Sequence, residues 1–157
     1  VEPKNQISKK AIQVWRVSGF LFSLLEWGIA AGAVILSAIF NIPKWIPILL
    51  FVLALVCTLI AVFILPSLRL KHWRYEVREK EIEIQKGMFV IKRTLVPMVR
   101  VQHVDTKQGP ILAKYGLSSV EISTAATTHE IPAIDNREAE QLRKYISLMA
   151  TVEEEDV

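Results

Sequence analysis

The residue in this chain most able to do chemistry by its position is Glu26. It is the only charged side chain inside two long apolar runs, Val17–Phe40 and Trp45–Leu65. A carboxylate there is costly, about 2.5–3.5 kcal/mol on insertion scales, so it must face protein, water or the membrane surface. Three readings follow: Glu26 reaches the cytoplasmic interface, it contacts a second membrane subunit, or it lines an ion or proton path. Elsewhere the reactive residue types are scattered. His72, His103 and His129 lack His-x-x-x-His spacing, and Cys57 is the single cysteine, so neither a metal site nor a disulfide framework is expected. The chain has no Gly-x-Ser-x-Gly elbow and no Walker-type phosphate loop. Ser118, Ser119 and Ser123 fall on a strand pattern. The expectation is a non-enzymatic protein without a cofactor.

The polar residues that remain are binding candidates. Arg93, Arg100, Gln102 and His103 crowd one short stretch. They either meet a partner or anionic headgroups, or hydrogen-bond neighbours such as Asp105. Lys86 and Lys92 flank Gly87, and Arg69, Lys71 and Arg74 follow the second apolar run; these are headgroup candidates, since a basic residue near an anionic leaflet contributes about 1 kcal/mol. In the first run Gly28 and Gly32 form a GxxxG pair, where two helix backbones can approach closely.

The elements that must carry these residues are of two kinds. Each apolar run is long enough to cross a hydrocarbon core of roughly 30 Å as a helix. The link Asn41-Ile42-Pro43-Lys44 permits only an antiparallel hairpin. Helical spacing sets Glu26, Ala30, Ala33 and Ser37 on one stripe, opposite Gly28 and Gly32, and gives the second span a small-residue stripe of Ala54, Cys57, Thr58 and Ala61. Charge is segregated. The net +3 of the chain lies in residues 1–65, where Lys4, Lys9, Lys10, Arg16 and Lys44 face only Glu2 and Glu26. The balanced remainder argues against nucleic acid as a partner despite a pI near 9.1. Lys9, Lys10 and Arg16 before the hairpin, and Arg69, Lys71 and Arg74 after it, outnumber Lys44 at the turn, which predicts both termini and the head in the cytoplasm. Trp15, Trp45 and Trp73 sit near the expected interfaces.

After Pro66 the pattern alternates. Tyr75–Val77, Ile82–Ile84, Met88–Val96, Val99–Thr106, Leu117–Ser123 and Glu130–Ile134 read as strands. Ile111–Tyr115 reads as a short turn or helical piece closed by Gly116. Asp135-Asn136 caps an amphipathic helix through Glu138, Leu142, Tyr145, Ile146 and Met149. The resulting division is a basic N-terminal segment (1–16), the hairpin (17–40 and 45–65), a basic juxtamembrane segment (66–74), a mostly-β head (75–150) and an acidic disordered tail (151–157).

Trp73-Arg-Tyr, the Gly87 hairpin, the stretch Arg93-Thr-Leu-Val-Pro97-Met-Val-Arg100-Val-Gln102-His103-Val-Asp105, then Gly109-Pro-Ile-Leu, Tyr115-Gly-Leu and Glu138-Ala-Glu-Gln-Leu142 resemble the bacterial PH-like domain of small membrane proteins. With the hairpin included, nearly the whole chain is similar to the YdbS-like family. The resemblance implies a PH-like barrel capped by the C-terminal helix. It further implies a larger bacterial membrane protein with several such domains as partner, and a role in tolerance to or export of membrane-active bacteriocins.

Overall fold

The structure, a computed structural model, describes residues 2–155. They form two compact units: a helical hairpin, residues 15–67, and a head built from residues 2–14 together with 68–155.

In the hairpin, helix α1 spans Ala11–Phe40, so it begins six residues before the apolar run. At 1.5 Å per residue it is about 45 Å long, more than a hydrocarbon core requires. Asn41 ends it in the left-handed region at φ 50°, a conformation asparagine tolerates better than most residues. The returning helix is α2, Trp45–Leu59, a π-helical turn at Ile60–Ile64, and α3, Leu65–His72. The wide turn has a local cause. Pro66 has no N–H, and its ring would strike the carbonyl four residues back. The Leu65 N–H instead bonds the Ile60 carbonyl, five residues away. The juxtamembrane segment is therefore helical to His72.

The two helices meet along a seam. A Cβ at Gly19 would stand 2.8 Å from the Ala61 carbonyl oxygen, so only glycine allows this approach. Ser23 is buried and donates to the Phe20 carbonyl. Trp27 Nε1 donates to Thr58 Oγ1 at 3.0 Å, and Thr58 donates to the Ala54 carbonyl at 2.7 Å. Ala30 and Ala54 are buried. The Ser23 and Thr58 hydroxyls and the Trp27 indole N–H thus have partners, as a lipid setting demands.

The head holds two antiparallel sheets. The first has order β1-β2-β3-β4, from Asn5–Gln6, Arg74–Val77, Glu81–Lys86 and Lys92–Pro97. The second has order β5-β6-β7, from Val101–Lys107, Leu117–Thr124 and Thr128–Asp135. Short helix α4, Pro110–Lys114, precedes β6, and α5, Asn136–Glu155, packs on the second sheet. The alternation seen in the sequence places Ile82 and Ile84 in the core with Tyr75, Val96 and Met98, and Leu117, Val120, Ile122, Ile131 and Ile134 join Ala139 and Ile146 of α5. The arrangement fits a PH-like domain, built as two sheets rather than one continuous barrel.

Four expectations are corrected. Trp73 is a buried core residue, not an interfacial one. The strand expected over Met88–Val96 begins only at Lys92, because the glycine-led turn runs through Ile91. The N-terminal segment joins the head: β1 pairs with β2, Pro3 and Ile7 are buried, and the Ser8 N–H bonds the Ala133 carbonyl. The acidic tail is helical through Glu155, continuing α5; residues 156–157 lie outside the described residues.

Candidate functional site

Glu26 sits fifteen residues into α1, about 22 Å along its axis. It is exposed on the hairpin surface and borders a groove of about 210 Å³ with Ile29, Ala30, Leu50, Leu53, Ala54 and Cys57. Of its expected stripe only Ala30 is buried; the seam is carried instead by Gly19, Ser23, Trp27 and Ala30. Gly28 and Gly32 lie off the seam, with nothing within 4 Å of a Cβ at either.

In the head the four clustered candidates separate. Arg93 is on β4, where its Nε donates to Gln85 Oε1 at 2.9 Å. Gln85 is buried, and its Nε2 donates to the His72 carbonyl at 3.4 Å. His72 Nδ1 in turn lies 3.0 Å from the Leu68 carbonyl. Arg93 thus ends a polar chain that ties β4 and β3 to the last turn of α3, where helix carbonyls lack intrahelical donors. Arg100 and Gln102 stay together and line an open groove of about 610 Å³ with Val99, Thr124, Ala125, Ala126, Ala150 and Glu154. Gln102 falls at a register shift between β5 and β6, which turns it out of the ladder. His103 points elsewhere and lies 3.7 Å from Asp105.

Of the headgroup candidates, Arg69, Lys71, Lys86 and Lys92 are exposed and Arg74 is half-buried. Lys86 and Lys92 oppose one another across the β3–β4 hairpin. Both act electrostatically on His129 of β7, whose pKa is lowered first by burial and then by these two lysines. Arg74 pairs with Glu2 at 3.2 Å, while Arg69 and Lys71 lie on the last turn of α3. Glu81, Glu76 and Glu83 clamp Arg78, raising its pKa. Tyr75 is buried and donates to Glu138 Oε1 at 3.1 Å. Burial and the Glu138 carboxylate raise its pKa, so the phenol serves as a donor joining the first sheet to α5.

Sequence reasoning missed Gly19, Trp27, Gln85 and the exposed stretch Met88–Ile91. Only the last carried a usable signal, a Gly-led run of apolar residues closed by lysine on each side. Among the described residues no three His, Cys, Asp or Glu side chains gather as a metal site would require.

Comparison with known proteins bears on this arrangement. The Bacterial PH domain family matches residues 19–150. The UPF0699 transmembrane protein YdbS of Bacillus subtilis (strain 168) is 50% identical over 156 residues, covering 99% of this chain and 98% of that protein. No solved structure matches. A match over both helices and head, at half identity along nearly its whole length, makes this chain a member of the YdbS-like family of transmembrane proteins with a bacterial PH domain.

Proposed function

We propose that the chain is a non-catalytic subunit of a bacterial membrane complex, anchored by its hairpin and joined in the bilayer to a larger membrane protein carrying PH-like domains. The observation that supports this reading is the unused face of α1. The helix packs on its own partner through Gly19, Ser23, Trp27 and Ala30, yet it also has Gly28 and Gly32 open to the outside. In lipid, close backbone approach is a main source of helix association, and this second approach surface has no use within the hairpin. Glu26, on the opposite side of α1, would need a separate polar contact with the partner. In the head, the Arg100–Gln102 groove is the matching polar surface. Lys9, Lys10, Arg16, Arg69, Lys71 and Arg74, against Lys44 at the turn, favour a cytoplasmic head. Tolerance to or export of membrane-active bacteriocins is the physiological setting that the family resemblance supplies.

The test is gentle-detergent purification of the tagged full-length protein from native membranes. A larger membrane protein should be recovered with it, and Gly28→Leu combined with Gly32→Leu should lose that protein while preserving the hairpin. The same variant strain should show raised sensitivity to membrane-active peptides. Recovery of the chain alone would overturn the assembly; unchanged sensitivity would remove the defensive role.

A further inference from the structure

The turn between β3 and β4 exposes a compact apolar tip. Phe89 and Val90 are each 82% exposed, and Met88 and Ile91 are exposed beside them. The turn is fixed rather than slack. Gly87 has φ +147°, and a Cβ there would lie 2.0 Å from the Val90 carbonyl oxygen, so only glycine permits the tip to fold back on itself. Lys86 and Lys92 close the turn at its base as a facing pair, and His129 lies within their field. Four adjacent apolar side chains held in water with a basic collar form a surface that needs an apolar phase bordered by negative charge.

The sheet register shows which way the tip points. Gln85 pairs with Arg74, the first residue of β2, so β3 runs back to the end of the sheet where the chain arrives from α3. Gln6 also pairs with Arg74, so β1 leaves by the same end toward α1. The tip follows directly on Lys86, at that same end of the sheet. Arg69, Lys71 and Arg74 belong to this end as well.

We infer that Met88–Ile91 is a membrane-insertion loop: Phe89 and Val90 enter the acyl boundary of the bilayer that holds the hairpin, and Lys86 and Lys92 engage anionic headgroups. The head would then be attached at a third point, independently of any protein partner. Because an interfacial anchor adds apolar burial to headgroup attraction, it would set the orientation of the head over the leaflet.

The test uses the full-length protein with Cys57→Ala, carrying Phe89→Cys labelled with an environment-sensitive fluorophore. Glu79→Cys, at the opposite β2–β3 turn, is the control. Both proteins are reconstituted into bilayers of phosphatidylcholine with phosphatidylglycerol, with and without nitroxide-labelled lipid. The label at 89 should shift to shorter wavelength and be quenched by the nitroxide, while that at 79 should do neither. Lys86→Gln and Lys92→Gln should each move the inserted fraction about fivefold toward withdrawal, and omission of phosphatidylglycerol, which removes both contributions, should move it about 25-fold. Equal, weak quenching at 89 and 79 would overturn the inference. So would a blue shift at 89 that occurs without lipid quenching and only on adding native membrane extract, which would assign the tip to a protein partner.

Discussion

Gln85 shows how a residue that does no chemistry decides the role of one that looked as if it might. Its buried amide takes a hydrogen bond from Arg93 and gives one to the end of α3, so Arg93 braces the base of the hairpin connection. In sequence Arg93 and Arg100 look alike, because alternation tells which face a residue occupies and not which polar atom lies across the sheet. His129 is the residue whose environment can be read by titration. Burial first, and the fields of Lys86 and Lys92 second, lower its pKa from 6.5. The unfolded chain therefore takes up this proton before the folded one does. Stability is unaffected well above 6.5, falls as the pH drops from there toward the folded pKa, and levels off below it. Titration of the imidazole by NMR in the full-length protein should place it below 6.5, and Lys86→Gln or Lys92→Gln should each raise it. A value unmoved by either substitution would separate His129 from the lysine pair.

Among the elements, α1 carries two glycine faces that the sequence could not tell apart. The spacing of Gly28 and Gly32 matches a known motif, whereas Gly19 stands alone. Yet it is Gly19 that meets a carbonyl at the π turn, a turn set by Pro66 forty-seven positions later in the chain. The contact depends on two distant irregularities coinciding, and local periodicity holds no trace of it. The expectation follows from sterics. Gly19→Leu must push the helices apart against the Ala61 backbone and should destabilise the hairpin by about 1–3 kcal/mol, the usual range for overpacking. Gly28→Leu meets open space and should leave it unchanged. Thermal inactivation of the purified protein in one detergent distinguishes them; equal behaviour would mean that the seam is elsewhere. The strands of the head were legible for the converse reason. Ile82 and Ile84 on β3, and Val120 and Ile122 on β6, alternate with polar neighbours, and a strand with one buried face must show that period. The β3–β4 tip escaped the same logic because its apolar residues serve an exterior surface, and a run of Met-Phe-Val-Ile reads as core until its burial is seen.

For the molecule as a whole, the path of the chain matters more than the order of its segments. The head is not a module appended after the hairpin, since residues from both sides of the hairpin complete it. β1 covers the edge of β2, Ile7 is 3% exposed, and the Ser8 N–H reaches Ala133 on the second sheet. Ala133 holds a left-handed φ of 54° within β7, a strained geometry that the Ser8 hydrogen bond helps to fix. Ile7→Ala tests the closure. Were the N-terminal segment a passive tail, the substitution would change nothing in the head. If it completes the core, the loss is that of a buried branched side chain, about 2–4 kcal/mol with its cavity. The loosened β1 would leave the β2 edge unpaired. Hydrogen exchange on the full-length protein should then show faster exchange at Arg74–Val77, more than sixty residues from the substitution, with the amides of α1 beyond Trp15 unaffected.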